Sequence, residues 1–147
     1  MDREHVFSED LWDTYHAAAD RIVPADDFPG AWEAGARSFL EQQLGGDLAH
    51  LREPVAEALS AIEAAAWRVA QRRFSELDAA EQERILSLLE RSDDERERRN
   101  VSLLIELTLD GYYANPENGG NLNEVSWKMI GYTRLPGRRP ARRGAAE

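Results

Sequence analysis

Cysteine is absent from this chain of 147 residues, and histidine and methionine are scarce, with three and two copies. Without cysteine there are no disulfides, thiolate zinc sites or cysteine nucleophile. No apolar run approaches the roughly 20 residues that a membrane-spanning helix requires. The N-terminal MDREHVFSED lacks the basic and apolar stretches of a signal peptide. We therefore expect no direct membrane insertion and a cytoplasmic protein, or a periplasmic one if an export signal has been removed.

The charge is distributed unevenly along the chain. The net charge is −10, yet residues 134–147 contain five Arg and one Glu, which leaves −14 on residues 1–133. We expect one domain over residues 1–133 and a basic, disordered tail over residues 134–147, with a phosphate-binding or docking tail as the alternative. An acidic body repels phosphate backbones, so no nucleic acid is expected as a partner.

Helical periodicity and capping residues predict an all-α fold, a single compact bundle of five or six helices. No alternating segment rich in β-branched residues indicates a strand. Five helices are predicted at Ser8 to Val23, Ala31 to Leu44, Pro54 to Phe74, Asp78 onward, and Asp93 or Asp94 to Leu109. Expected buried positions include Val69, Trp67 and Leu88, and the last of the five helices is apolar enough to lie at the centre of the core.

A Gly/Asn-rich loop follows these helices and precedes a short C-terminal helix. Asp110 and Gly111 are expected to end the fifth helix, and YYANPENGGN offers several positions where a positive φ is inexpensive. EVSWKMIGY then predicts the short helix. Tyrosine and tryptophan side chains beside a shaped polar loop are typical of a partner-binding surface, but they equally suit a loop that is pinned to the core.

Residues with catalytic or metal-binding potential are few. Glu106 lies among leucines and could act as an acid or base, although it shares a helical stripe with Arg99, Ser102 and Asp110 that favours a solvated face. Two Asp-x-x-His pairs, Asp13 with His16 and Asp47 with His50, could each present two metal ligands on one face. The Asn-rich loop lacks the carboxylates of a calcium loop. No catalytic residue is therefore predicted.

Two segments resemble a known family. LDGYYANPENGGNLNEVSWKMIGY, residues 109–132, resembles the C-terminal signature of the gluconate 2-dehydrogenase subunit 3 family, and VPADDFPGAWEAGARSFLEQQL, residues 23–44, resembles its N-terminal half. The resemblance implies a small helical subunit without a cofactor of its own. Its expected partner is a large FAD-dependent oxidoreductase of the glucose-methanol-choline (GMC) type that oxidises a sugar or glycoside, and a cytochrome c can accept the electrons.

The resemblance also implies which positions contact the partner or shape the loop. These positions are Gly111, Tyr112, Tyr113, Asn115, Pro116, Gly119, Gly120, Asn121, Trp127, Lys128, Met129, Ile130 and Gly131.

The leading hypothesis is a noncatalytic small subunit that binds and stabilises or matures such a flavoprotein. One alternative is a small helical metal-binding protein that uses the Asp-x-x-His pairs, and another is a self-associating helical protein. Many family members begin with a twin-arginine export signal, which MDREHVFSED does not resemble. That departure favours a cytoplasmic complex and weakens the expectation of an export role.

Overall fold

The computed structural model describes residues 6–26 and 28–114, and in this part of the chain all regular structure is helical. The five α-helices are α1 (Glu9–Ile22), α2 (Ala36–Leu44), α3 (Arg52–Ala70), α4 (Ala79–Glu90) and α5 (Glu95–Tyr112). Short 3₁₀ helices, Ala49–Leu51 and Phe74–Glu76, precede α3 and α4. The predicted all-α fold is confirmed. The predicted loop and C-terminal helix beyond Ala114 lie outside the described residues.

Side-chain caps begin three of the helices, as the sequence predicts. Ser8, Asp78 and Asp94 each accept hydrogen bonds from backbone N–H groups in the first turn of α1, α4 and α5. Such bonds satisfy N–H groups that have no partner inside the helix. Phe7 packs on Trp12 with ring centroids 5.1 Å apart and forms a hydrophobic staple at the start of α1.

The second helix begins later than predicted, because a left-handed glycine interrupts it. Residues 31–35 form turns, and Gly35 takes a φ of 96° just before α2. This conformation is open to glycine and costly for other residues, so the chain cannot continue one regular helix from Ala31 to Leu44.

The third helix ends at Ala70, before the predicted Phe74. Gln71 takes a φ of 53° and terminates α3, and Phe74 is fully buried on the 3₁₀ helix that follows. The predicted burial of three apolar side chains is wrong, since Trp67, Val69 and Leu88 are each about half exposed. Periodicity located the helices but could not show how far each apolar stripe is covered by neighbours.

Helix α5 lies at the centre, as its apolar sequence predicts. It packs most extensively on α3 and also contacts α1, α2 and α4. Val101 and Leu104 are fully buried, and the buried Thr108 hydroxyl donates to the Leu104 carbonyl oxygen at 2.8 Å. Tyr15 of α1 donates in turn to the Thr108 oxygen at 2.7 Å. A polar pair inside the core thus fixes α1 against α5.

The polar stripe of α5 is solvated, as predicted. Arg99, Ser102, Glu106 and Asp110 are all exposed, and Arg99 pairs with Glu95 at 3.3 Å. An exposed Glu106 has none of the burial that would suit it to acid–base work. In the described part of the chain, no helix combines the length and the apolar character needed to cross a bilayer.

Candidate partner interface

The C-terminal end of α5 fits against α2 through a glycine. A Cβ atom added to Gly111 would lie 2.8 Å from Cδ2 and 2.9 Å from Cγ of Phe39. Both residues are buried, and Gly111 is helical, so the expectation that Asp110 and Gly111 end the helix is wrong: α5 continues to Tyr112. Because Gly111 has no side chain, α5 can pack closely against α2; the glycine is not there to form a turn.

Tyr112 connects the same end of α5 to the loop between α1 and α2. Its ring is buried, and its hydroxyl donates a hydrogen bond to the Pro29 carbonyl oxygen at 3.0 Å. Burial raises the pKa of Tyr112, with smaller contributions from Tyr113, Asp26 and Glu33. The neutral hydroxyl needed for donation is therefore the stable form.

The loop that receives Tyr112 is closed by its own backbone bonds. Ala31 N–H donates to the Val23 carbonyl at 2.9 Å, and Asp26 N–H donates to the Phe28 carbonyl at 3.0 Å. A Cβ atom on Gly30 would lie 2.4 Å from the Val23 carbonyl oxygen, so only glycine permits this closure. The loop therefore presents a defined shape beside α5.

We call the exposed part of this region the junction surface and define it by Phe28, Tyr113, Asp26 and Glu33. Phe28 is 36% exposed, and Tyr113 is partly buried with its ring edge-on to Tyr112 at 5.2 Å. Phe28 directly precedes Pro29 in the chain, and Tyr113 directly follows Tyr112, so each is next to one partner of this hydrogen bond. Asp26 and Glu33 are exposed. Aromatic area with polar groups at its edge is suited to protein–protein contact.

The predicted partner-contact positions fall into two groups. Gly111, Tyr112 and Tyr113 lie together at the junction surface or directly beneath it. The other ten fall outside the described residues, and their contacts stay a prediction. They are Asn115, Pro116, Gly119, Gly120, Asn121, Trp127, Lys128, Met129, Ile130 and Gly131.

The residues of the metal-binding alternative are not gathered into one site. Asp13 and His16 line an open groove of about 350 Å³ beside Asp20 and Arg21. The His16 ring stacks on Trp32 at 4.2 Å, and its Nε2 lies 3.5 Å from an Asp20 carboxylate oxygen. Among residues 6–26 and 28–114, no three His, Asp or Glu side chains are grouped so that they could hold a metal ion. The metal-binding interpretation of the Asp-x-x-His pairs is therefore not supported.

Sequence reasoning missed the residues on the α1–α2 side of the junction surface. Phe28 and Pro29 stand inside the first recognised motif, as does Phe39, yet none was selected as a site residue. Their place in this motif was the sequence signal that could have identified them. What single-sequence reasoning lacked was the contact between this motif and Gly111 and Tyr112, which requires the tertiary fold.

Comparison with known proteins identifies one family. The model of the family described as gluconate 2-dehydrogenase subunit 3 matches residues 9–137. The match takes in both motifs and every helix described above. No curated protein and no solved structure matches the chain. The chain belongs to the gluconate 2-dehydrogenase subunit 3 family.

Proposed function

We propose that this chain is a noncatalytic small subunit that binds and stabilises or matures a large FAD-dependent GMC-type sugar or glycoside oxidoreductase. Family membership over residues 9–137 supports the assignment to a dehydrogenase complex. FAD then belongs to the large subunit, and a cytochrome c or another acceptor receives the electrons. The residues of this chain supply a binding surface and take no part in electron transfer.

One structural observation carries the proposal furthest. Tyr112 of the second motif bonds to Pro29 of the first, although the two residues are 83 positions apart in the chain. The residues next to this bond in the chain, Phe28 and Tyr113, are aromatic, one from each motif, and are exposed and partly buried, respectively. Rigid aromatic side chains at a preformed surface are common binding hot spots.

Affinity capture of the tagged full-length chain from its native cell extract tests this function. We expect a stoichiometric partner of flavoprotein size, with the absorption spectrum of oxidised flavin that bleaches when the right sugar is added. A colourless eluate that contains only this chain would contradict the proposal. The same eluate would report the sugar class through the substrate that causes bleaching.

The interface itself is tested by substitution. Tyr113→Ala combined with Trp127→Ala is expected to weaken capture of the partner at least tenfold, because aromatic hot spots typically contribute more than 1 kcal/mol each. Trp67→Ala is the matched control, since it removes an aromatic side chain that is 50% exposed on α3. Thermal unfolding of each variant confirms that the fold is retained. Equal affinity for the double variant and the control would count against this surface.

A further inference from the structure

The loop between α1 and α2 carries an aromatic side chain, Phe28, that is not buried in the core. Phe28 is 36% exposed, whereas the neighbouring residues Ala31 and Ala34 fill the core beside it and are almost completely buried. The Phe28 N–H donates to Oδ1 of Asp26 at 3.0 Å, so the turn that holds the ring is fixed by a side chain of the same loop. A fixed loop loses little conformational entropy when a partner binds.

Two exposed carboxylates, those of Asp26 and Glu33, lie in the same loop as Phe28, between α1 and α2. Asp26 and Glu33 are exposed, and in the described part of the chain neither forms an ion pair. Their charges add to the raised pKa of the Tyr112 hydroxyl, after burial and Tyr113, and that hydroxyl bonds to Pro29 of the same loop.

Two arginines from the adjoining helices are engaged elsewhere. Arg37 donates to both carboxylate oxygens of Glu9, at 2.8 and 3.3 Å, and it also lies over the Trp12 ring at 4.8 Å. Arg21 lies 4.0 Å from a carboxylate oxygen of Glu83 on α4. Within residues 6–26 and 28–114, no basic side chain therefore forms an ion pair with Asp26 or Glu33, and their negative charge is left for another group.

We propose that the junction surface receives a basic segment of the partner subunit, with an Arg or Lys side chain against the Phe28 ring and Asp26 and Glu33 as its counter-charges. This inference rests on the proposed function and names the chemistry of the partner at the same site. A cation over an aromatic face and beside carboxylates gains from both interactions, and Arg suits such sites best. The net charge of −14 on residues 1–133 attracts the same partner over longer distances.

The test measures affinity for the captured partner as a function of salt concentration. Asp26→Asn with Glu33→Gln removes two charges, and the new asparagine side chain keeps an oxygen that can accept from the Phe28 N–H. Asp47→Asn with Glu90→Gln is the matched control, because it removes the same charge from two exposed acids elsewhere. We expect the first pair to weaken binding on the order of fivefold to tenfold at low salt and to flatten the salt dependence, and the control to change binding less than about twofold.

The aromatic half of the proposal is tested separately. Phe28→Ala is expected to weaken binding on the order of tenfold, and Phe28→Tyr is expected to retain most of the affinity because it keeps an aromatic face. Equal losses for Phe28→Ala and Phe28→Tyr would contradict a cation against the ring.

The outcomes separate this inference from the function on which it rests. If a flavoprotein is captured but both double substitutions weaken its binding equally, the proposal of a basic segment would be wrong and the subunit assignment would remain intact. Failure to capture any partner would overturn both. If deletion of residues 134–147 abolished the difference between the charge pairs, the occupant would be this chain's own arginine-rich tail, and the proposal would be wrong.

Discussion

Replacement of Gly111 by alanine should destabilise the protein, although alanine is the better helix former. Gly111 is helical, and at an unobstructed helical position Gly→Ala stabilises by about 0.5–1 kcal/mol. Here the new methyl group would lie 2.8 Å from Cδ2 and 3.3 Å from Cβ of Phe39. Overpacking of this kind costs about 1–3 kcal/mol. The expected balance is a net loss of about 1 kcal/mol.

Urea unfolding of the full chain measures this balance, provided that the slope of free energy against urea is unchanged. Ser102→Ala supplies a control on the same helix, because Ser102 is exposed and its replacement changes helix propensity without a clash. We expect that control to stabilise by a few tenths of a kcal/mol. Opposite signs for the two alanine variants would identify packing as the cause.

A double-mutant cycle tests whether Phe39 is the obstructing group. Phe39→Ala should destabilise strongly by itself, since it empties a buried aromatic site. In that background, Gly111→Ala should become neutral or stabilising, which gives a coupling energy of about 1–2 kcal/mol between the two positions. If Gly111→Ala stabilised the protein by about 1 kcal/mol in both backgrounds, the inferred contact would be refuted.

Two further predictions concern other parts of the fold. Burial raises the pKa of Tyr15 well above its ordinary value of 10.0. The unfolded chain therefore loses this proton first, and stability should fall as pH rises above about 10, by up to about 1.4 kcal/mol per pH unit. Tyr15→Phe should make the measured decline shallower and cost about 1 kcal/mol at neutral pH. Gln71→Gly should raise the free energy of unfolding by about 0.5–1 kcal/mol in urea titrations, because Gln71 is exposed with a φ of 53°; a decrease would contradict the inferred strain.

The parts of the fold that sequence predicted are those determined by local chemistry. Ser8, Asp78 and Asp94 cap helices because a short polar side chain can reach the N–H groups two or three residues later. The apolar run from Val101 to Leu109 marked α5 as the central helix for a similar reason, since so many apolar side chains in one stretch must be covered by other helices.

The predictions were wrong where the backbone conformation or the packing of neighbouring helices determines the structure. The left-handed conformations of Gly35 and Gln71 set the start of α2 and the end of α3, and neither follows from helical periodicity. The exposure of Trp67 and Leu88 depends on which helices lie across α3 and α4. Such information resides in tertiary packing, which overrides a local pattern of apolar residues.

The same distinction between local sequence and tertiary packing applies to the candidate site. The two motifs were visible in the sequence, but their contact through Tyr112 and Pro29 was not. The contact gives Gly111 and Tyr112 a role in the fold itself, so their substitution would weaken a partner complex even if neither touched the partner. Phe28 is exposed and Tyr113 is only partly buried, so a loss of binding on their substitution can be separated from a loss of stability when unfolding is measured alongside binding. An interface at the junction surface must therefore be tested at those two aromatic side chains, with Gly111 and Tyr112 left intact.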